Sequence, residues 1–242
     1  MKLGKRLRTL AALVPSTINA ADTAAPVYHH LWDVCCDHGH LGLTLFEQQK
    51  ALHVHLVDCV PSITDKLQPQ CISLANGEQR QLSVHCLDAN QLPLARYQGR
   101  HLVIIAGVGG DLAGDLVANI CEHNPDTDFD ILVCPVRYTP ELRGQLASKD
   151  FSLRFEHLVE ERQRIYEVIG ASRSCNQPAK PAVSLCGDEL WQYHCADSRA
   201  RALTYAQQQL AHYQRKQATG CPDNQQRIAA YQSIADKLAA LD

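Results

Sequence analysis

Short apolar runs alternate along the first two thirds of the chain with segments whose apolar residues repeat at helical spacing. The runs bounded by turn-forming residues predict strands, and the periodic segments predict helices. The predicted strands are Leu31–Cys35, Val54–Cys59, Leu82–Cys86, His101–Ala106 and Phe129–Cys134; the predicted helices are Leu41–Gln49, Pro61–Asn76, Gly110–His123 and Thr139–Ser148. This alternation predicts an α/β fold with a doubly wound parallel sheet.

The pattern changes after residue 150. Phe151–Glu160 and Arg164–Ala171 are extended runs with too few residues between them for a crossover helix. They predict an antiparallel hairpin that brings the sheet to seven strands.

The C-terminal quarter has a different organisation. Residues 173–187 contain prolines and little periodicity, which predicts a linker between a domain at 1–172 and an element at 188–242. Glu189–Lys216 and Asn224–Leu241 carry facing apolar stripes and are separated by a Gly/Pro breaker at Thr219–Asp223. We therefore expect an antiparallel helical hairpin, with either an RNA-binding or a dimerisation role.

The N-terminal segment combines apolar and basic positions. One helical stripe is apolar, and the opposite face carries Lys2, Lys5, Arg6 and Arg8. Pro15 interrupts the apolar stretch, so an amphipathic basic helix is favoured over a secretory signal. No apolar run approaches the roughly 18 residues that a membrane-spanning helix needs.

Composition narrows the function classes. The 242 residues are 45% hydrophobic, which excludes a disordered chain, and 23 basic against 26 acidic residues give a net charge of -3. Any nucleic-acid partner therefore needs a local basic patch.

The 11 cysteines are odd in number and form no C-x-x-C pair, and the 12 histidines lack an obvious acidic or thiol partner set. We expect reduced cysteines, no bound metal and a cytoplasmic monomer or homodimer.

Candidate binding residues stand where the predicted strands end. In a doubly wound sheet the ligand binds outside these carboxyl ends. The first strand leads through a glycine-containing turn into a helix, which suits the carboxylate of a methionine-derived cofactor, and an acidic residue about 20 positions later suits ribose hydroxyls. The residues are Asp33, Cys35, Asp37, Gly39, Asp58, Cys59, Asp88, Ala89, Ala106 and Gly107. Ordinary turn carboxylates and glycines required for close packing are the alternative explanation.

Several motifs together resemble one family. Leu3–Leu7 is similar to L-x-K-R-L, Asp33–His38 to D-I-G-S-D-H, and Ile105–Gly110 to I-A-G-M-G-G. Weaker matches are Pro135 within a Q-P-N segment, Leu142-Arg143 with L-R, and Ile165–Ile169 with I-Y-E-I-I. The chain thus resembles the bacterial tRNA adenine-N1 methyltransferases that modify position 22 of the D-arm.

The resemblance implies a Rossmann-like class I methyltransferase sheet with a C-terminal helical hairpin. It implies S-adenosylmethionine as cofactor, contacted by the strand-end residues above, and tRNA as substrate. RNA contacts would come from Lys5, Arg6, Arg137 and Arg143. Because adenine N1 is itself the nucleophile, no strong base is needed; the catalytic candidates are Asp37 and His38, beside the exocyclic amine, and Tyr138, as a stacking surface.

The sequence departs from the family pattern at three positions. Cys35 replaces a glycine, Cys134 a glutamine, and Val136 the asparagine of Q-P-N. Two alternatives therefore stay open: a methyltransferase for another RNA base or a small molecule, and a cofactor-binding module without catalysis.

Overall fold

The computed structural model describes residues 3–15, 28–175, 181–219 and 224–240. Its centre is one seven-stranded sheet in the order β3-β2-β1-β4-β5-β7-β6. The strands are β1 Tyr28–Val34, β2 Ala51–Asp58, β3 Gln81–Cys86, β4 His101–Ala106, β5 Phe129–Cys134, β6 Ser152–Glu161 and β7 Arg164–Arg173. The first five strands are parallel, and β7 runs antiparallel to both of its neighbours, β5 and β6, so the predicted doubly wound sheet with its terminal hairpin is confirmed.

Helices cover both faces of this sheet. They are α1 Lys5–Leu13, α2 His40–Glu47, α3 Pro61–Ala75, α4 Gly110–His123, α5 Thr139–Ser148, α6 Ala196–Ala218 and α7 Gln225–Ala239. The central strand β4 is buried from His101 to Ile105, which explains the continuous apolar run Leu102–Ala106. None of the described helices is long and apolar enough to cross a membrane.

The basic N-terminal segment forms the predicted helix. Leu10 and Val14 are buried against the sheet, whereas Lys5 and Arg8 are exposed. The backbone N–H of Arg6 donates to Glu161 on β6, at 3.1 Å, and the Arg6 guanidinium lies 5.3 Å from the ring centre of Tyr166 on β7. The terminal β-hairpin thus fixes the start of α1.

The segment predicted to be a linker differs from expectation. Its first residue belongs to β7, Val183 is buried in the core of the sheet domain, and Cys186 is buried against Tyr213 and Tyr231 of the helical hairpin. The carboxylate of Glu156 accepts hydrogen bonds from the backbone N–H groups of residues 188–190. Buried contacts therefore hold residues 181–190. Residues 176–180, and the predicted breaker from residue 220 to 223, lie outside the described residues.

The hairpin helices match the prediction in type but not at every boundary. The first begins at Ala196 rather than near Glu189, because residues 188–195 are occupied by the contacts to Glu156 and by a Cys195–Ser198 capping box. Tyr213 and Tyr231 stack at 6.1 Å between α6 and α7, and both are fully buried. The aromatic contact joins the two helices into one unit.

Candidate active site at the carboxyl edge of the sheet

A cleft of about 380 Å³ opens where β1 and β4 end. This volume lies in the range of small-molecule sites. Its lining is contributed by the start of α1, the turn after β1 and the turn after β4; it includes Arg6, Asp33, Cys35, Asp37, His38, His40, Ala106 and Gly107. The sequence predicted most of these residues from the ends of the strands.

The turn after β1 has an unusual backbone. Cys35 and Asp37 have φ angles of 55° and 48°, and Gly39 has a φ of 67°. Residues other than glycine rarely adopt this left-handed region, which explains why the D-I-G-S-D-H pattern has a glycine where this chain has Cys35. Burial, with Asp58 and other acidic neighbours, raises the pKa of Cys35 to about 11, so its thiol is neutral at pH 7.

Asp33 anchors this turn from inside. Its carboxylate is 4% exposed and accepts a hydrogen bond from the backbone N–H of Gly42 at 2.8 Å. Burial raises the pKa of Asp33 to about 7, although the Gly42 hydrogen bond opposes the shift. The side chain ties the end of β1 to the first turn of α2.

Asp58 supports the same turn from β2. Its two carboxylate oxygens accept from the backbone N–H groups of Asp37, at 3.1 Å, and Val60, at 3.0 Å. Cys59 directly follows Asp58, Ala89 lies in the short turn after β3, and Asp88 caps that turn by accepting from the backbone N–H of Asn90. None of these residues, nor Gly39, is among those that line the cleft.

Two residues that line the cleft each carry one polar atom without a hydrogen-bond partner among the described residues. These atoms are Nη1 of Arg6 and Nδ1 of His40, and both are buried. An unpaired buried donor costs about 1–3 kcal/mol, so such groups normally meet a ligand or water. Arg6 was expected to contact RNA phosphates; the structure places its guanidinium in the cleft, whereas Lys5 remains on the outer surface.

Asp37 and His38 form an exposed pair at the cleft. The Asp37 carboxylate lies 2.7 Å from Nδ1 of His38, and both side chains are 71% exposed. Such a pair is accessible to a large substrate.

Tyr138 is the N-cap residue of α5, four residues after β5, and is not among the residues that line the cleft. The backbone N–H of Val136 donates to Val108, a cleft residue, at 2.9 Å, and this bond places the Tyr138 segment against the cleft wall. The Tyr138 ring lies 5.1 Å from the exposed Arg137 guanidinium and 5.3 Å from Nζ of Lys216 on α6. The predicted stacking residue therefore sits in a basic environment that the helical hairpin helps to build.

Arg143 does not belong to this surface. Its side chain is fully buried, with Nε 2.7 Å from Glu167, Nη2 2.6 Å from Glu156 and Nη1 3.0 Å from the Ser184 carbonyl. Burial opposes the charge, but the two carboxylates outweigh it and raise the pKa of Arg143 further. The prediction that Arg143 contacts RNA is wrong, because all three of its guanidinium nitrogens form hydrogen bonds inside the protein.

Residues 3–169 match a family model described as a methyltransferase domain. The chain belongs to this methyltransferase family. No curated protein sequence matches it.

Solved structures show how far the methyltransferase fold extends. The tRNA methyltransferase TrmK of Bacillus subtilis, an M1A22 enzyme, is 20% identical and superposes with a TM-score of 0.60 over 99% of this chain and 95% of its own. TrmK of M. capricolum, solved in complex with S-adenosyl-homocysteine, is 14% identical and superposes with a TM-score of 0.61 over 99% of this chain and 97% of its own. The magnesium protoporphyrin IX methyltransferase of Synechocystis is 17% identical, with a TM-score of 0.52 over 70% and 78%. The predicted S-adenosylmethionine-dependent methyltransferase fold is confirmed.

The cleft of this methyltransferase fits the expected cofactor. A methionine-derived carboxylate needs a buried cation or N–H donor, and Arg6 Nη1 is such a donor without a partner. Gly107 lies in the left-handed region and has no side chain, so it leaves space in the cleft next to Arg6. A Cβ added there would lie 3.8 Å from the Arg6 guanidinium. Sequence reasoning missed Arg6 and His40 as cleft residues. Only the long-range packing of α1 on β6 and β7 brings Arg6 there, and no local pattern encodes that contact.

Proposed function

We propose that this methyltransferase modifies tRNA and forms N1-methyladenosine, at position 22 of the D-arm. The observation that carries the proposal is the extent of the structural likeness. It spans 99% of the chain, including the helical hairpin, for the B. subtilis tRNA enzyme, but 70% for the enzyme that acts on a porphyrin. A hairpin shared with a tRNA enzyme favours tRNA over a small molecule.

S-adenosylmethionine, when bound, supplies a methyl group on an already activated sulfonium. In this proposal Arg6 and the turn after β1 hold the methionine part, and Asp58 and Asp88 accept hydrogen bonds from the adenosine part. Cys35 remains a neutral thiol and takes no part as a nucleophile. The chain's own residues then have one main task, which is to position the target base.

The base-positioning residues are Asp37, His38 and Tyr138. The exposed Asp37 carboxylate accepts a hydrogen bond from the exocyclic amine, and His38, 2.7 Å away, orients that carboxylate. Tyr138 provides an aromatic face for an adenine that must leave its stack, at a cost of roughly a few kcal/mol. Lys5 and Arg137, both exposed, contact the phosphates.

The experiment is transfer of a labelled methyl group from S-adenosylmethionine to unmodified tRNA, followed by nucleoside mass spectrometry. We expect N1-methyladenosine in wild-type tRNA and none in a matched transcript whose adenine 22 is replaced by guanine. Label at another base in both transcripts would reassign the acceptor. Cofactor binding without transfer to any RNA would support the non-catalytic alternative.

A further inference from the structure

Five imidazoles meet on one face of the sheet, away from the cleft. They are His30, His53, His55, His85 and His101, contributed by four adjacent strands. His30 and His53 are register partners near the amino-terminal ends of β1 and β2, whereas the cleft lies at the carboxyl ends. Neither the methyl transfer nor the RNA surface uses this cluster.

Three of these side chains converge. One ring nitrogen from each of His30, His53 and His55 lies within 4.8 Å of the others, and Nδ1 of His30 is 3.1 Å from Nε2 of His55. In a tetrahedral zinc site with Zn–N bonds of about 2.0–2.1 Å, neighbouring ligand atoms are about 3.3 Å apart. The His30–His55 spacing is therefore close to that of a metal site, and the His53 nitrogen lies within 4.8 Å of both.

The other nitrogen of each ring has a protein partner. Nε2 of His30 lies 3.2 Å from the Gln98 carbonyl, and Nε2 of His53 lies 2.7 Å from Oγ of Ser83. Nδ1 of His55 lies 3.0 Å from Nε2 of His85. Metal-binding histidines are oriented by partners of this kind, because the second hydrogen bond fixes the tautomer and the ring direction.

The three imidazoles differ in exposure. His53 and His55 are buried, while His30 is partly exposed and leaves a path for entry.

The geometry points to a three-histidine site for a divalent transition-metal ion of the zinc class, bound by Nδ1 of His30, Nδ1 of His53 and Nε2 of His55. Imidazole ligands without carboxylates favour zinc, copper, nickel or cobalt over magnesium or calcium. Three neutral ligands leave a fourth position for water on the His30 side. The sequence analysis expected no metal, because histidines that alternate along one strand lack a matching partner set. The third ligand, His30, comes from a different strand and is adjacent to His53 and His55 only in the sheet.

The test is a titration of the purified full chain with Co²⁺, followed by visible spectroscopy, with competition by Zn²⁺. The variants are His30→Gln and His53→Gln, and the matched control is His123→Gln, an exposed histidine at the end of α4. We expect one Co²⁺ per chain in the wild type and the control, displaced by Zn²⁺, and at least tenfold weaker binding in each variant. S-adenosylmethionine affinity, as a measure of folding, should be unchanged in all of them.

Two results would overturn the site. One is the absence of stoichiometric binding to the wild type, which would leave the cluster a hydrogen-bonded network only. The other is binding that survives both variants but disappears when exposed thiols such as Cys59 and Cys175 are alkylated. Should either variant fail to fold, electron paramagnetic resonance of Cu²⁺ on the wild type decides, because a spectrum without nitrogen coupling rejects histidine ligation.

Discussion

At the residue scale, two adjacent basic side chains have separate environments. Lys5 is exposed, whereas the Arg6 guanidinium carries an unpaired buried nitrogen in the cleft. We expect Arg6→Ala to weaken S-adenosylmethionine binding about tenfold or more in calorimetry, because the cofactor carboxylate loses a charged donor. Lys5→Glu should leave cofactor affinity unchanged and weaken tRNA binding in a salt-dependent way. Equal cofactor affinity in both variants would remove Arg6 from the cofactor site.

Asp33 makes the free energy of unfolding depend on pH. Its folded pKa of about 7 exceeds the ordinary value of 3.8, so between these values the folded chain keeps a proton that the unfolded chain loses. The contribution of Asp33 to the free energy of unfolding therefore falls as pH rises, by roughly 4 kcal/mol from below pH 4 to above pH 7. In Asp33→Asn an amide oxygen still accepts from Gly42 and this loss is absent. Urea unfolding of both proteins at pH 5 and pH 8 checks the difference, and parallel profiles would contradict it.

Much of the candidate site was predictable at this scale, and the exceptions share a cause. Asp33, Asp37 and Gly107 were found because parallel strands end at one edge, a rule that requires only the strand assignment. Arg6 and Arg143 were misplaced because basic residues in motifs were taken to be exposed. Arg6 meets Glu161, 155 positions away, and Arg143 meets Glu156 and Glu167, 13 and 24 positions away. No short-range pattern encodes such contacts.

At the element scale, apolar periodicity located the secondary structure well. Helices α4 and α5 have the predicted bounds, as do strands β4 and β5. The errors fall at ends set by tertiary contacts, such as the start of α6, where Glu156 holds the preceding backbone in a non-helical form. The I-Y-E-I-I motif contacts two of the other motifs. Tyr166 packs against Arg6 of the N-terminal motif, and Glu167 binds Arg143 of the L-R motif.

The buried Arg143 network links α5, β6, β7 and α6. Glu156 and Glu167 bind the guanidinium, and the hydroxyl of Tyr205 donates to Glu167 at 2.7 Å. Arg143→Met leaves two buried carboxylates without their cation, so we expect a loss of about 3–5 kcal/mol in the free energy of unfolding. Adding Glu156→Gln and Glu167→Gln should recover part of that loss, because the repelling charges are gone. Chemical denaturation of both variants decides, and a triple variant as unstable as the single one would contradict the charge argument.

At the scale of the whole molecule, the helical hairpin is joined to the sheet domain by more than a covalent connection. Glu141 on α5 pairs with Lys216 of α6, at 3.1 Å, and with Arg227 of α7, at 3.7 Å. Together with Glu156 and Tyr205, this contact ties both hairpin helices to the methyltransferase domain. The division into domain, linker and appendage that the sequence suggested therefore understates their coupling.

The two tryptophans allow this coupling to be measured. Trp32 is fully buried in the sheet, and Trp191 packs beside Tyr205 and Tyr231 of the hairpin. In Trp191→Phe, fluorescence reports the sheet alone, and in Trp32→Phe it reports the hairpin alone. If the buried contacts couple the two parts, each fluorescence midpoint in urea coincides with the far-UV circular dichroism midpoint of the same variant. Because the comparison is made within one variant, destabilisation by the substitution itself does not disturb it. A Trp191 transition that precedes the circular dichroism transition would mean that the hairpin unfolds separately, and the basic surface around Tyr138 and Lys216 would then lose its fixed geometry before the cleft does.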